Sequence, residues 1–580
     1  MTRRQAWWLI ALLALVWFGS LEYRALVKPD EGRYAEIPRE MVATGDWLTP
    51  RLNGIKYFEK PALQYWATAA GFELLGRSDG TARLWPGLTG FLGILLTWFA
   101  GRRLFGPTAG LLAAATLASS LLYLMIGHIN TLDMGLSFFL EAAICGFLLA
   151  QREPERPRGW MLVAWAALAL AVLSKGIVAL VLTGATLVLY SLTSRDWAPW
   201  RRFEFLRGLP LFLAIAAPWF IAVSIANPEF ARFFFIHEHF ERFLTKVHGR
   251  YQPPWYFVPI LLTGLLPWTT LALQALAGAW RRYADAVFQP RRFLLLWCVV
   301  VFGFFSVSDS KLPSYILPLF PAAALLLGDA LPRLQRRTLL AHLAIVAVVA
   351  LVALALSPQA VRFASEATPA DMMAAYGRWL TAAAALWLAG TLVAIGLAWR
   401  ARIVAATLVL AVAGFAGGLV TLLGVENLSP ANSARQIAGV VRPLLSPGVH
   451  FYSVRMYEQT LPYYLDRTVT LVDYRDELDF GLTQEPQKWV PSLDEFKRRW
   501  QADTDAFAIM DHGQFESLLR DGLPMTQIVR DTRRVIVRKS PPPPSPRPEG
   551  RGDGSSAAHG ASSMPLTGSS LGRPGGRSAS

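Results

Sequence analysis

About thirteen long apolar runs are spread along this chain of 580 residues, and they constrain its fold more than any other feature. A helix needs about 20 consecutive apolar residues to cross the hydrocarbon core of a bilayer, and the runs are close to that length. The pattern therefore predicts a polytopic α-helical membrane protein. The predicted spans are 6–27, 84–101, 107–126, 134–151, 159–174, 176–194, 208–226, 255–279, 293–308, 313–331, 338–356, 377–398 and 403–424.

Composition supports a membrane fold and argues against nucleic acid as a partner. Charged residues make up 17% of the chain and the mean hydropathy is +0.35, whereas ordinary globular domains contain about 25% charged residues. The net charge of +15 raises the question of nucleic-acid binding, but most arginines lie in short connections between apolar runs. Both cysteines, Cys145 and Cys298, fall inside apolar runs and give no sign of a disulfide framework.

The positions of the arginines predict the orientation of the chain in the membrane. Lys and Arg are concentrated in cytoplasmic connections, and here basic clusters such as Arg102/Arg103 and Arg201/Arg202 occupy alternate connections. An odd number of spans then places the region after about residue 425 on the outer face. A signal peptide is an alternative interpretation of the N-terminus, but its removal would leave the first outer loop without a preceding membrane segment. The outer connections are 28–83, 127–133, the vicinity of 175, 227–254, 309–312 and 357–376.

Two further regions follow the apolar runs. Residues 425–540 alternate short β-rich runs with helical patterns, which predicts a small α/β domain outside the membrane. Residues 541–580 are rich in Pro, Gly and Ser, which predicts a disordered tail. The chain is thus divided into a membrane domain (1–424), an outer α/β domain (425–540) and the tail. The β-rich runs are HFYSV at 450–454, TVTLV at 468–472, AFAIM at 506–510 and RRVIV at 533–537.

Charged residues and histidines are concentrated in the outer loops. An enzyme that acts on a membrane lipid must place its polar chemistry at the edge of the bilayer, and ionisable residues at span ends favour a functional site. Helix packing can bring four such loops together at one face. The loops contain KPDEGRYAE (28–36) with YFEKPALQYW (57–66), HINTLD (128–133), HEHFERF (237–243) and SDSKLPSY (308–315).

The residue types in these loops fit two kinds of site, and each also has a structural alternative. Basic residues such as Arg33, Lys60, Arg242 and Lys311 could bind a phosphate, since a guanidinium pairs with two oxygens. Glu59 with a loop histidine has the ligand types for a divalent cation. The structural alternatives are a solvated helix end for Asp30 and Glu31, a helix start for Glu59 and Lys60 before Pro61, an amphipathic segment for His237 and His239, and snorkelling for Lys175.

At these loops the sequence resembles a known family. DEGRYAEIPREMVATGDWLTPRLNGIKYFEKPALQYW (30–66) is similar to the first periplasmic loop of the bacterial lipid A aminoarabinose transferases (ArnT-like). These belong to the GT-C glycosyltransferases, which use polyprenyl-phosphate sugars and include protein O-mannosyltransferases. HEHFERF and SDSKLPSYILPLFPA (308–322) are similar to later segments. The resemblance implies a GT-C fold with about thirteen transmembrane helices and a C-terminal periplasmic α/β domain, in the bacterial inner membrane.

The resemblance also implies roles for individual residues. Asp30 matches the catalytic carboxylate of the GT-C first loop, and Asp133 matches a further acidic position. Glu59 matches a metal-binding position, with His239 preferred to His237 because it lies three residues before Arg242, as in the family; the metal would be Zn, Mg or Mn. The resemblance assigns five residues to the donor phosphate and its cavity: Arg33, Lys60, Lys175, Arg242 and Tyr315. Lys311 is added to this set because of its residue type alone.

These observations lead to one prediction and two alternatives. We predict transfer of 4-amino-4-deoxy-L-arabinose from undecaprenyl phosphate to lipid A, by a displacement in which cations stabilise the departing phosphate. The added amino group would weaken the attraction of cationic peptides such as polymyxin. The first alternative is a GT-C transferase that moves mannose, galacturonic acid or hexosamine to protein or glycan, because no residue selects the sugar. The second is a lipid or solute transporter, although transporters place their polar sites near the bilayer midplane.

Overall fold

Every predicted span contains helix. The computed structural model describes residues 3–152, 157–241, 252–281 and 288–540, and in these ranges eight helices are long and apolar enough to cross a membrane. A ninth span results if Pro254–Gly264 and Thr269–Gly278, which bend by 112°, count as one. The eight helices are Leu84–Phe105, Leu132–Arg152, Pro157–Lys175, Phe205–Ala226, Pro290–Val307, Arg336–Phe363, Ala370–Trp399 and Ile403–Asn432.

Besides the bent pair, four predicted spans contain helices shorter than the apolar runs. The first helix ends at Gly19, so the prediction of helix up to residue 27 was wrong. In the third run Ser120 adopts an extended backbone and divides the helix in two. Hydropathy detects apolar composition but not the continuity of a helix, so the number of about thirteen spans stays a prediction. The shorter helices are Arg3–Gly19, Pro107–Ser119, Leu121–Ile126, Val178–Ser194 and Leu319–Ala330.

The first outer segment, predicted as a loop, is folded. It begins with the helix Asp30–Thr44, called here the first-loop helix, whose first turn holds Asp30 and Glu31. Carboxylates there interact favourably with the positive end of the helix dipole. Gly45 ends the helix with a left-handed φ of 74°, which glycine adopts without steric cost. The elements that follow are strands β1 (Arg51–Leu52) and β2 (Ile55–Lys56), which form a hairpin, and helices Leu63–Leu75 and Asp79–Ala82.

A buried ion pair fixes the turn before the first-loop helix. Arg83 Nε and Nη2 donate to the two Glu31 carboxylate oxygens at 2.6 and 2.9 Å, and both side chains are fully buried. Glu31 is therefore a structural residue, and its interpretation as a solvated helix end was wrong. The backbone partners of the pair are the carbonyl oxygens of Leu21, Arg24 and Ala25 and the N–H groups of Val27 and Asn130.

The C-terminal region contains a mixed six-stranded sheet. Its strands are β3 (His450–Val454), β4 (Thr470–Val472), β5 (Trp489–Val490), β6 (Ala506–Asp511), β7 (Met525–Arg530) and β8 (Arg534–Lys539). The order is β5-β4-β3-β6-β8-β7. The first four strands in this order pair in parallel, and β6–β8 and β8–β7 pair antiparallel. All four β-rich runs form strands; β5 and β7 were not predicted, because β5 has two residues and β7 is largely exposed.

Helices cover this sheet, and one of its faces shares a hydrophobic core with the first loop. Ile37 of the first-loop helix lies in the same buried cluster as Phe451 of β3. Gly32 permits the close approach, since a Cβ there would lie 2.6 Å from backbone atoms of Gln459 and Thr460. The C-terminal domain is therefore packed directly on the start of the first-loop helix. Its helices include Arg435–Val441, Leu461–Leu465, Asp479–Gln484, Leu493–Ala502 and His512–Arg520.

The packing of the first outer segment against the C-terminal domain predicts a pH-dependent stability at Asp79. This buried carboxylate accepts a hydrogen bond from the Tyr464 hydroxyl at 3.1 Å and lies 3.3 Å from Arg435. Burial raises the pKa of Asp79 from 3.8 to about 6, against the opposing effect of Arg83 and Arg435. The folded protein thus holds a proton that the unfolded chain releases at lower pH. The free energy of unfolding should therefore fall as the pH rises through this window, by up to about 3 kcal/mol.

Asp79→Asn removes this titration and keeps an acceptor for Tyr464. We expect the melting temperature of the variant in detergent to change less between about pH 4 and pH 6 than that of the wild type. Asp371→Asn is the matched control, because Asp371 is an exposed carboxylate in the first turn of Ala370–Trp399. Equal pH slopes in the wild type and Asp79→Asn would contradict the prediction.

Candidate active site

The first-loop helix places Asp30 at its start and Arg33 one turn later. Arg33 Nη1 donates to Asp30 Oδ1 at 3.1 Å. The Asp30 side chain is 30% exposed, whereas that of Arg33 is 5% exposed. Because Glu31 is held in the buried ion pair, Asp30 is the carboxylate of this segment that a substrate can reach.

Arg33 is held by the C-terminal domain. Its guanidinium forms an ion pair with Glu477, whose Oε1 accepts a hydrogen bond from Gln459 at 2.8 Å. The guanidinium also lies 5.7 and 5.9 Å from the ring centres of Tyr34 and Tyr57. Glu477 was not predicted, because no sequence pattern links the C-terminal domain to the first loop. The role of Arg33 in phosphate binding stays a prediction.

Two buried tyrosines near this ion pair were also missed, although both lie in YFEKPALQYW. The hydroxyl groups of Tyr57 and Tyr65 are buried and have no hydrogen-bond partner among the described residues. Burial raises the pKa of both phenols well above its usual range, so each stays neutral and can donate a hydrogen bond. Buried polar groups without partners are unfavourable. The pair therefore marks a place where a ligand oxygen would be stabilised.

Glu59 and Lys60 lie between the hairpin and helix Leu63–Leu75. Lys60 Nζ donates to the Glu59 carbonyl at 2.7 Å and lies 3.9 Å from Glu59 Oε2, and both side chains are partly buried. Burial is the main cause of the raised pKa of Tyr57 and Tyr65, and the negative charge of the Glu59 carboxylate raises both further. The Glu59 carboxylate therefore interacts electrostatically with the two tyrosines.

A second polar cluster joins three separate segments. Lys175, the last residue of its helix, forms an ion pair with Asp133 near the start of Leu132–Arg152. Asp133 Oδ2 also accepts a hydrogen bond from Ser314 at 2.8 Å. The Lys175 amine lies 4.1 Å from the centre of the Tyr315 ring. The structure therefore brings together three residues that the sequence assigned to the site, and Lys175 is paired rather than snorkelling.

Polar side chains connect the two clusters. Gln64 Nε2 donates to Asn130 Oδ1 at 2.8 Å, and the Asn130 N–H donates to Glu31 at 3.0 Å. Within the described ranges, several buried polar atoms here have no hydrogen-bond partner: Gln64 Oε1, Thr68 Oγ1, Asn130 Nδ2 and Thr131 Oγ1. Such atoms are infrequent in folded proteins. All four atoms belong to Gln64, Asn130 or residues within four positions of them, and they are donors and acceptors that suit a ligand rich in hydroxyl groups.

The remaining predicted site residues are not tested by this geometry. Arg242 and the side chains of His237 and His239 lie outside the described residues. Lys311 is buried, with its amine donating to the carbonyl oxygens of Gln252 at 2.8 Å and of Ser308. In the described part of the chain, no group of three or more His, Cys, Asp or Glu residues could hold a metal ion. The predicted metal site stays a prediction.

Comparison with known proteins decides the family. Residues 4–234 match the family of dolichyl-phosphate-mannose-protein mannosyltransferases, and residues 437–539 match the aminoarabinose transferase C-terminal domain. The undecaprenyl phosphate-alpha-4-amino-4-deoxy-L-arabinose arabinosyl transferase of Pseudomonas aeruginosa is 32% identical over 87% of this chain and 92% of its own length. The chain belongs to the ArnT family of aminoarabinose transferases.

Two further ArnT-family proteins agree with this assignment. The enzyme of the same name from Edwardsiella ictaluri is 35% identical over 58% of this chain, and the chain spans 61% of that relative's length. The crystal structure of ArnT from Cupriavidus metallidurans bound to undecaprenyl phosphate has a TM-score of 0.88 and 39% identity, covering 93% of this chain and 98% of that one. The predicted ArnT-like helical membrane fold, with a sheet in its C-terminal domain, is thereby confirmed. Members of the ArnT family are glycosyltransferases, which argues against the transporter alternative.

Proposed function

We propose that the chain transfers 4-amino-4-deoxy-L-arabinose from undecaprenyl phosphate to lipid A at the outer face of the bacterial inner membrane. The observation that carries this proposal is the likeness, over 93% of the chain, to an ArnT that binds undecaprenyl phosphate. The name of the Pseudomonas aeruginosa relative includes the same donor and sugar. A polar site at one end of apolar helices also suits two substrates that stay anchored in the bilayer.

The proposed reaction is a direct displacement. An oxygen of lipid A bonds to the anomeric carbon of the sugar while the bond from that carbon to the donor phosphate oxygen breaks. Undecaprenyl phosphate leaves with the bonding electrons, so negative charge grows on its phosphate. Cations placed where this charge develops stabilise the transition state. The residues proposed for this are Arg33, Lys60, Lys175 and Lys311 with Tyr315 beside Lys175, and Arg242 from outside the described residues.

The role of Asp30 depends on the acceptor group. An acceptor hydroxyl would need a general base to take its proton. A lipid A phosphate is largely ionised near neutral pH, since the second pKa of a phosphomonoester is about 6. Asp30 would then orient a substrate or a cation. Its contact with Arg33 holds the carboxylate in place for both roles.

Lys175 provides a test of donor-phosphate binding. Lys175→Met leaves the Asp133 carboxylate without its cation, and this charge would repel the phosphate. We expect the affinity for undecaprenyl phosphate to fall about 10-fold, equivalent to about 1.4 kcal/mol, as measured by titration of the purified protein. Adding Asp133→Asn removes the repelling charge and should restore part of the affinity. Equal affinities in the wild type and Lys175→Met would place the phosphate elsewhere.

A divalent cation is also part of the proposal. Glu59 with His239, or with His237, supplies a carboxylate and an imidazole, which suit zinc, while magnesium or manganese would favour more oxygen ligands. A bound cation would add positive charge at the donor phosphate. Elemental analysis of the purified wild type should find one metal ion per chain, lost in both Glu59→Gln and His239→Ala. Unchanged metal content in these variants would refute the site.

The membrane topology and domain boundaries complete the proposal. We place about thirteen spans in residues 1–424, a periplasmic α/β domain in 425–540, and a tail in 541–580, which lies outside the described residues. Both native cysteines are buried, so an introduced cysteine can be labelled selectively in intact cells. A membrane-impermeant maleimide should label Asp494→Cys in the α/β domain but not Arg400→Cys on the opposite face. The reverse pattern would invert the topology.

The direct test is mass spectrometry of lipid A from cells with and without the gene. Lipid A that carries aminoarabinose only when the gene is present supports the proposal. Unchanged lipid A under inducing conditions would overturn the assignment of the acceptor.

Another sugar is the second candidate, since residues 4–234 match a mannosyltransferase family. In that case purified enzyme would transfer mannose, galacturonic acid or hexosamine from a polyprenyl phosphate in competition with aminoarabinose. Transfer of aminoarabinose alone would exclude it.

A further inference from the structure

A large cavity lies at the membrane face opposite the candidate active site. It has a volume of about 660 Å³, within the range of about 300–1,000 Å³ that ligand pockets occupy. Its wall includes Arg152, the last residue of the helix that carries Asp133 near its start. Arg152 lies nineteen positions after Asp133 on this helix, a distance of about 28 Å along its axis and therefore nearly the thickness of the hydrocarbon core. The cavity is thus distinct from the site at Asp30 and Asp133.

The cavity wall is positively charged. Among the described residues, four arginines and two aspartates line it, which gives these side chains a net charge of +2. The two carboxylates are already engaged in contacts that hold the fold. Asp329 is shared by Arg291 and Arg333 at 2.5 Å each, and Asp196 accepts hydrogen bonds from the Ala198 N–H at 3.0 Å and the Tyr190 hydroxyl at 3.3 Å.

The other two arginines, Arg152 and Arg202, are exposed, and both are next to Gln151: Arg152 follows it in the chain and Arg202 contacts its backbone. Arg202 Nη1 donates to the Gln151 carbonyl at 3.0 Å. The Gln151 residue is 7% exposed, and its side-chain nitrogen has no hydrogen-bond partner among the described residues. A ligand that accepts hydrogen bonds would satisfy this donor and neutralise the two guanidinium groups. A phosphate does both, because arginine pairs with phosphate oxygens in a two-pronged arrangement.

The surroundings of the cavity indicate a lipid as the source of the phosphate. Trp197 and Trp200 flank the wall residues Ala198 and Pro199, are both exposed, and stack with their ring centres 6.3 Å apart. Exposed tryptophans at the end of apolar helices are typical of the headgroup level of a bilayer. Leu206, on the next helix, is 91% exposed, which suits contact with acyl chains. The cavity therefore opens where phospholipid headgroups lie.

We propose that this cavity binds the phosphate headgroup of an anionic phospholipid. Basic pockets between membrane helices on the cytoplasmic side bind such headgroups, and the arginine distribution predicts that this face is cytoplasmic. The site is independent of the proposed sugar transfer. It would anchor the ends of Leu84–Phe105, Leu132–Arg152 and Pro290–Val307 to the lipid of the inner leaflet.

The test compares lipid binding by the full-length protein in detergent, measured by native mass spectrometry. Phosphatidylglycerol is the anionic probe and phosphatidylcholine the zwitterionic comparison. Arg152→Gln/Arg202→Gln should weaken phosphatidylglycerol binding at least about 10-fold. Gln151→Leu, which changes no charge, should weaken it in the same direction. Arg400→Gln/Arg402→Gln is the matched control, since it removes two exposed arginines from a connection outside the cavity.

Several outcomes decide the proposal. Selective binding of phosphatidylglycerol that is lost only in the cavity variants supports it. Equal phosphatidylglycerol binding by the wild type and Arg152→Gln/Arg202→Gln overturns it, as does an equal loss in the Arg400→Gln/Arg402→Gln control. In a competition arm, displacement of the lipid by a comparable concentration of inorganic phosphate would assign the site to a soluble anion and overturn the lipid assignment.

Discussion

Asp30→Asn is expected to lower kcat for sugar transfer by at least about 100-fold while leaving the Kd for undecaprenyl phosphate nearly unchanged. A general base contributes on the order of 10²–10⁴-fold, and a misplaced reacting group can cost about 100-fold, so both proposed roles predict a large loss. Donor binding should persist because Asp30 is anionic, whereas the residues proposed to hold the donor phosphate are cations. Arg33 keeps its ion pair with Glu477 in the variant. The measurements are a transfer assay and a donor titration on the same purified protein.

The pH dependence of the same variant separates the two roles of Asp30. If Asp30 takes a proton from an acceptor hydroxyl, kcat of the wild type falls at acid pH and this limb is lost in Asp30→Asn. If Asp30 instead orients a substrate or cation beside an ionised acceptor phosphate, the pH dependence of kcat follows the ionisation of that phosphate. It should then be the same in Asp30→Asn as in the wild type.

A matched control tests whether Asp30→Asn lowers activity only by destabilising the first-loop helix. Asp494 is an exposed carboxylate in the first turn of Leu493–Ala502, as Asp30 is in the first turn of the first-loop helix. Such a residue contributes about 0.3–1 kcal/mol to its helix. Asp494→Asn should therefore lower stability slightly and leave transfer unchanged. Wild-type turnover by Asp30→Asn would remove Asp30 from the mechanism.

The charged segment DEGR shows how far sequence alone reaches in this site. Its position after an apolar run, together with the family resemblance, was enough to select Asp30 and Arg33 as site residues. It was not enough to assign Glu31, because the partner Arg83 lies 52 residues further along the chain. Gly32 was equally unassigned, since its role depends on the backbone of Gln459. Contacts between distant segments decide these roles, and no local pattern encodes them.

The fold shows the same contrast between what local sequence patterns predict and what distant contacts decide. The apolar runs located each of the eight helices in the described ranges that are long and apolar enough to cross a membrane, because contact with lipid requires apolar side chains. They did not locate the break at Ser120 or the end of the first helix at Gly19, where local backbone and tertiary contacts decide. The β-rich runs identified the buried strands, whereas the exposed edge strand β7 carried too few apolar residues to be detected.

The division into separate domains concealed a connection that bears on function. The sequence separates residues 1–424 from 425–540, but Glu477 of the C-terminal domain pairs with Arg33 of the first loop. Asn53 of the first loop also exchanges two hydrogen bonds of 2.7 Å with the backbone of Val469. The C-terminal domain therefore stabilises the segment that carries Asp30.

The second large effect is expected at the buried ion pair of Glu31 and Arg83. Glu31→Gln leaves the Arg83 charge buried without compensation, which costs about 3–5 kcal/mol in comparable pairs. Native proteins are stable by only about 5–15 kcal/mol, so the variant should lose a large part of its stability. We expect a markedly lower melting temperature in detergent and a lower yield of folded protein in membranes.

Arg83→Lys separates charge from geometry at the same position. Lysine keeps the positive charge but cannot make the paired contact with Glu31 and also reach the carbonyl oxygens of Leu21, Arg24 and Ala25. Buried acceptors left unpaired each cost about 1–3 kcal/mol, so Arg83→Lys should be destabilised nearly as much as Glu31→Gln. Breaking the more exposed pair of Lys56 and Glu229 with Glu229→Gln is the control, with an expected change below about 1 kcal/mol. A wild-type melting temperature for Arg83→Lys would mean that the charge alone holds the turn, and that the carbonyl contacts contribute little to placing the first-loop helix.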